Sequence, residues 1–253
     1  MKKSFSLMAL AAFAAFSPVA RADGPLTVAV AANAQFAMEE VAAVFTGETG
    51  IPVRAVVGSS GKLTAQIKAG APFDIFVSAD TSYPKALYDD GIATAPPEVY
   101  ASGTLVVWSA SDINISGGLS SLLSEKIRRV AVANPETAPY GFAAVKALRN
   151  AGIYERIKNK LVFGESISQV NQFVFAKAAE AGVTAKSSLM SPGMAGKGSW
   201  VDVDGSLYTP IAQGIVVLKY GAKNNPSAVN KLYSYIFSST GKTILKKYGY
   251  STP

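Results

Sequence analysis

Short apolar runs with the look of strands recur along this chain, each closed by a Gly, Ser or Asn turn and followed by apolar residues at helical spacing. That alternation admits few folds, because strands pairing in parallel need a crossover between them and a helix is the usual one. Leu26–Val30 reads as a buried strand. From Asn33 to Phe45 the apolar residues Met38, Val41, Val44 and Phe45 keep helical spacing, with Glu39 and Glu40 in the first turns, until Thr49 and Gly50 end it. Pro52–Val57 is the next strand, Leu63 and Ile67 mark a helix ending at Gly70, and Asp74–Ser78 is a third strand. Pro84 opens a short helix that ends at Gly91. The pattern predicts an α/β fold with a doubly wound, mainly parallel sheet.

The rhythm then restarts twice. Thr104–Ser109 is a strongly apolar strand, followed by strand Val130–Ala133, helix Tyr140–Asn150, strand Leu161–Phe163 and a helix near Ser168–Ala181. Residues 190–206, rich in Gly, Ser and Asp, read as an exposed loop. Tyr208–Leu218 is another long apolar strand, and helices Pro226–Ser238 and Gly241–Lys247 finish the chain. A long strand at each restart predicts a chain that crosses twice between two lobes, with the two crossover strands as hinge. Residues 23–102 plus 212–253 form lobe I in this reading, and 103–211 form lobe II.

Residues 1–22 stand apart from that pattern. Lys2 and Lys3 give a positive start, Leu7–Phe16 is an apolar run, and Ala20-Arg21-Ala22 is a small-x-small cleavage site. This is a secretory signal peptide, too short to span a membrane as a permanent helix, and cleavage after Ala22 would leave the protein in the periplasm. No cysteine follows that would carry a lipid anchor, and no later run of 18 apolar residues exists, so the mature protein is expected to be soluble. Three of the 24 basic residues lie in the leader and none of the 17 acidic ones does, so the net charge falls from +7 to +4 on cleavage. The remaining Lys and Arg are scattered without interleaved aromatics, which argues against a nucleic-acid partner.

The chain has neither Cys nor His. Cysteine nucleophiles, histidine bases and the usual zinc or copper ligand sets are thereby excluded, and a transition-metal cation is a poor ligand candidate. The polar residues gather instead at the C-terminal ends of the strands, where ligands bind in open α/β sheets. Ala31-Ala32-Asn33 follows the first strand and Gly58-Ser59-Ser60-Gly61 the second. Asn134 to Gly141 follows Ala133, and Gly164-Glu165-Ser166-Ile167 follows Phe163. Each leads into a helix, and four helix starts aimed at one cleft would make an anion site from backbone N–H groups. Taken singly, Asn33, Ser60 and Ser166 read equally well as helix N-caps, and Tyr140 as a packing aromatic. Gly58 to Lys62 is too short between its glycines for a phosphate loop. Asp74, Asp80 and Glu165 read as structural or capping carboxylates. A hydrolase using Ser59 or Ser60 lacks a histidine base, and Lys62 sits too close along a helix start to replace it.

The segments Val30–Asn33, Gly58–Leu63, Gln66–Asp80, Asn134–Gly141 and Gly164–Ile167 resemble those of periplasmic molybdate-binding proteins, the capturing subunits of ABC importers. The resemblance covers nearly the whole mature chain and is most specific from Gly58 to Asp80. It implies a two-lobed periplasmic binding protein of type II, not an enzyme, that captures molybdate and tungstate with high affinity. Delivery would be to an ABC permease in the inner membrane. It implies neutral donors around the oxyanion: Ala32 and Asn33 on the first loop, Ser60 on the second, Tyr140 on the third and the backbone of Ile167 on the fourth. One branch of the family takes its tyrosine from a later strand, near Ala185 here, which has no donor; Tyr140 is expected to replace it. The metal would be held only through its oxygens, with no cofactor, by a monomer. Another oxyanion, tungstate or sulfate, is the alternative ligand; iron(III) would want His or paired tyrosines. Mass spectrometry of the periplasmic protein should give a chain starting at Asp23, and an intact Met1 start in that fraction would refute the leader.

Overall fold

A computed structural model describes residues 25–253, so the leader and its cleavage point lie outside the described residues. Strands β1 (Leu26–Ala31), β2 (Val53–Gly58) and β3 (Ile75–Val77) pair in parallel with β1 in the middle. The crossovers are α1 (Gln35–Thr49), entered through one 3-10 turn at Ala32–Ala34, and α2 (Ser60–Lys68). Helix α1 buries Ala37, Met38, Val41 and Phe45 on one face. After α3 (Ser82–Asp89) comes β4 (Glu98–Gly103), and a single residue later β5 (Leu105–Ser109) begins the second sheet. There β6 (Val130–Ala133), α4 (Pro139–Asn150), α5 (Tyr154–Ile157), β7 (Leu161–Gly164), α6 (Ile167–Phe175) and β8 (Ala181–Ala185) repeat the alternation. The short α7 (Lys186–Leu189) and β9 (Ser199–Asp202) precede β10 (Ile211–Val217), which returns to the first sheet. Helices α8 (Lys219–Asn224), α9 (Pro226–Phe237) and α10 (Ser239–Lys247) complete the chain.

The two sheets share one plan, β2-β1-β3-β10-β4 and β7-β6-β8-β5-β9. Three parallel strands carry the helices. The fourth, β10 or β5, arrives from the other sheet and pairs antiparallel on both sides. Side-chain alternation divides the core of the first sheet. Val28, Val30, Ile75 and Val77 face the cluster with Val41, Phe45 and Leu232. Ala29, Phe76 and Val216 face the one with Leu63 and Leu87. Trp108, Leu122, Val132, Leu148 and Val170 belong to the core around the second sheet, which Ala31, Ala32 and Ala79 of the first also join. The lobes therefore touch at the strand ends.

Several elements differ from the sequence reading. The helix expected to reach Ala181 ends at Phe175, and Ala181–Ala185 is instead a fully buried strand between β6 and β5. Its Ala-Gly-Val-Thr-Ala sequence has little strand propensity, so tertiary pairing decides it. The loop expected over 190–206 contains edge strand β9, where Trp200 lies opposite Trp108. Edge strand β4, with Glu98 and Val99 exposed, shows no apolar alternation and was not foreseen. The expected strand Tyr208–Leu218 starts only at Ile211, just after Pro210, which has no N–H to give a ladder.

The carboxylates keep structural roles. Asp80 accepts from the Tyr83 N–H at 3.2 Å in the first turn of α3. Glu165 pairs with Lys62 at 2.7 Å, both about half exposed. Asp74 is buried, accepts from the Thr27 N–H at 2.6 Å, and takes the Asn225 amide at 3.0 Å. Asp74→Ala strands both donors and should lower the unfolding free energy by about 1–3 kcal/mol in chemical denaturation. A loss below a few tenths would show that water replaces the carboxylate freely.

Candidate functional site

The turns that leave β1, β2, β6 and β7 meet where the two sheets face each other. Ala32, Asn33, Ser60, Tyr140 and Ile167, one to two residues from each of four different turns, are among the residues that line a single small cavity of about 10 Å3. That is room on the scale of one water molecule. All five residues are at most 4% exposed. No charged side chain lines the cavity. A larger groove of about 420 Å3 opens beside it, past Ala138 and Pro139, toward Asp80, Tyr83 and Lys146.

Accounting for each helix start shows which donors remain. In α2 the capping residue is Ser59, whose Oγ accepts from the Lys62 N–H at 3.4 Å, so Ser60 is released from the role proposed for it. The Gly61 N–H crosses to the carbonyl of Thr137 at 2.9 Å. Ser60 keeps its own N–H, and its hydroxyl is oriented from behind. Oγ accepts from the Ala79 N–H at 3.0 Å and from the Ser78 hydroxyl at 3.1 Å. The one Ser78 proton also reaches Asp80 Oδ1, at 3.3 Å, so the Ser60 hydroxyl accepts firmly only from Ala79 and can turn its own proton to Ser78 or to the cavity. In α4, Pro139 occupies the first position and has no N–H to lose, leaving Tyr140 and Gly141. In α6, Ser166 sits at the cap position without a side-chain bond, and the N–H of Ile167 begins the helix. Asn33 lies within the 3-10 turn and caps nothing either. None of the three candidate caps acts as one.

The Asn33 side chain is not a free donor. Its amide nitrogen donates to Gln213 Oε1 at 2.8 Å and to the Tyr250 hydroxyl at 2.9 Å. What Asn33 offers the cavity is the unpaired N–H of a helix start. The Tyr140 hydroxyl accepts from Gln213 Nε2 at 3.1 Å, which engages its oxygen and leaves its proton able to donate. Tyr100 adds a bond to Gln213 Oε1 at 2.7 Å. Burial, reinforced by Tyr250 and the neighbouring tyrosines, pushes the Tyr100 and Tyr140 phenols well above their usual range. Burial lifts Tyr250 to about 12. All three stay neutral at physiological pH.

Reasoning from sequence missed this layer. Gln213 had a signal, as the one amide in an otherwise apolar strand, and such a group must find partners when buried. Ser78 ended the foreseen third strand. Tyr100, Ser187 and Tyr250 gave none, since their roles depend on β4, α7 and the C-terminal tail folding back. Ala185 is buried at the end of β8 and does not line the cavity.

Contacts between the lobes close the mouth: the Gly61–Thr137 backbone bond, Tyr83 Oη donating to the Glu136 carbonyl at 3.1 Å, and the Lys62–Glu165 ion pair. A Cβ on Gly61 would stand 2.9 Å from the Thr137 oxygen and 3.0 Å from its Cα, closer than real contacts allow. The ion pair, half in water, contributes little.

Known proteins share this fold. A chain from Rhodobacter capsulatus, called molybdate-binding protein ModA, is 38% identical over 232 residues, covering 91% of this chain and 90% of its own. One from Azotobacter vinelandii with the same name is 38% identical over 251 residues, covering 99% of each. The solved structure of an Azotobacter vinelandii periplasmic molybdate-binding protein superposes with a TM-score of 0.85 at 31% identity, over 90% of this chain and 99% of that one. The family model described as bacterial extracellular solute-binding protein matches residues 26–251. With that match over almost all of the described residues, the chain belongs to the bacterial extracellular solute-binding protein family.

Proposed function

We propose that this protein captures molybdate, and tungstate with it, in the periplasm and hands it to an ABC permease in the inner membrane. The observation that carries the reading is a buried cavity without charged side chains, where four helix starts and the Ser60 hydroxyl supply donors. Helix starts suit an anion because their first N–H groups lack partners and carry the positive end of the dipole. The names of the Rhodobacter and Azotobacter relatives support molybdate as that anion. Ala32, Asn33, Ser60, Tyr140 and Ile167 hold it in this reading, Asn33 and Tyr140 through backbone N–H and Ser60 through its hydroxyl as well. Two lobes, 23–102 with 212–253 and 103–211, close around it as a monomer. The strands assigned to each sheet support that division.

A doubly charged tetrahedral ion without a proton fits a shell made only of donors. Sulfate has shorter bonds and cannot reach every donor at once; phosphate near neutral pH brings a proton that needs an acceptor. Charge-assisted hydrogen bonds are worth about 1.5–3 kcal/mol each, so a handful suffices for sub-micromolar affinity after the costs of closure. Lacking Lys or Arg in the shell, the site should lose little affinity as salt rises to physiological strength.

Calorimetric titration of the mature protein with molybdate, tungstate, sulfate and phosphate, at two salt concentrations, tests this directly. Molybdate and tungstate should bind tightest and with a shallow salt dependence. Sulfate or phosphate binding as tightly as molybdate, or a steep dependence on salt, would show that the cavity works by other chemistry. In the same assay Ser60→Ala should weaken molybdate about 10- to 100-fold, with the melting temperature of the ligand-free protein little changed. Gly61→Ala should weaken binding comparably, by holding the lobes apart at Thr137. Wild-type affinity in Gly61→Ala would mean that the mouth closes without that backbone contact.

A further inference from the structure

The strongest unexplained feature outside the cavity is the buried amide of Gln213. It lies at the start of β10, where pairing with β4 shifts register between Gln213 and Gly214, and it is completely shielded from solvent. Its orientation follows from an atom that can only accept. The backbone oxygen of Asn33 takes the Tyr250 hydroxyl at 2.9 Å and the Ser187 hydroxyl at 2.8 Å. Having given its proton there, Tyr250 must accept from Asn33, which places the amide nitrogen of Asn33 on that side. The second hydrogen of that nitrogen goes to Gln213 Oε1, which also accepts from Tyr100. Gln213 Nε2 is thereby turned toward the other lobe, where it meets the Tyr140 hydroxyl.

The hinge is shaped around this contact. A Cβ on Gly103, the last residue of β4, would fall 1.9 Å from the Tyr140 hydroxyl and 2.6 Å from Gln213 Nε2. Only a glycine lets the phenol reach the amide past the crossover. Ser251 pairs with Ser102 next to it, with backbone bonds of 2.7 and 3.1 Å, and so holds the tail that carries Tyr250.

We infer that Gln213 is a positioning residue that latches the two lobes, fixing Asn33 on one side and Tyr140 on the other, and that the Tyr140 hydroxyl belongs to this latch rather than to the bound ligand. The inference rests on the oxyanion reading for what the cavity holds, but not for the latch itself. When the lobes part, the bond from Gln213 to Tyr140 is broken while those to Asn33 and Tyr100 remain within lobe I. Loss of the latch therefore affects release of ligand more than its arrival. In the free protein it reduces the closed population.

Because the chain has no cysteine, one exposed label site per lobe, Lys223→Cys and Lys126→Cys, reports lobe separation without background. Single-molecule energy transfer on this pair, with and without molybdate, should show a smaller closed fraction in Gln213→Met and in Tyr140→Phe than in the otherwise wild-type protein. Stopped-flow release of molybdate should be about 10-fold faster in each single variant and about 10-fold, not 100-fold, in the double variant, since both remove the same bond. Tyr140→Phe keeps the ring and the backbone N–H, so it carries the test if Gln213→Met folds poorly. Equal closed fractions in wild type and both variants would overturn the latch. So would multiplying effects on release, which would return the Tyr140 hydroxyl to the ligand. A wild-type protein that binds no tetrahedral oxyanion would instead sink the proposed function, and the closed fraction of the free protein would then decide the latch alone.

Discussion

A helix cannot satisfy its own first N–H groups, and a buried N–H without a partner is costly; the site is arranged around that constraint. Four starts end at the same place because parallel strands deliver their crossovers to one edge of a sheet, and here two such edges face each other. Each start disposes of its surplus donors in its own way. Ser59 and the Thr137 carbonyl absorb two from α2, and Pro139 removes one from α4 outright. What is left over points at the cavity.

Behind the cavity wall lies a second polar layer with different work. Asn33, Tyr100, Gln213, Tyr250 and Ser187 satisfy one another with Tyr140, and burial keeps its phenols neutral. A neutral network can sit beside an anion without repelling it, and a fully paired one holds its members in a single arrangement. Its members come from both lobes and from the tail, so it is complete only when the lobes are together. The same contacts that fix the wall thus also register its closure. The exposed Lys62–Glu165 pair at the mouth contributes little beside this, because water screens it.

Much of the fold could be read from the chain because α/β crossovers write two periodicities in alternation. β1, β3, β5, β6 and the helices between the strands carry buried apolar runs or stripes that leave little choice, and the half-exposed edge strands β2 and β7 still carry apolar runs. β4, β8 and β9 were not legible for physical reasons. Two are edge strands with one face in water, and the third is made of small residues whose conformation depends on its neighbours in the sheet. The loop positions around the cavity were legible for the opposite reason: strand ends and helix starts must be polar and small wherever they line a ligand site. Even so, the sequence left the roles of single residues there open. Ser60 looked like a cap until Ser59 was seen to take that bond, and Asn33 looked like a donor until its amide was found committed to Gln213 and Tyr250.

The sequence alone determined the two-lobed α/β architecture and the exclusion of histidine and cysteine chemistry. These depend on local pattern and composition, which a single chain carries in full. Tertiary structure decided which atom of each cavity residue faces inward, and that Gln213, 180 positions from Asn33 and 73 from Tyr140, joins them. Hydrogen bonds between side chains so far apart leave no periodic trace. Their partners are chosen only when the crossover strands bring both lobes and the tail to the same few ångströms.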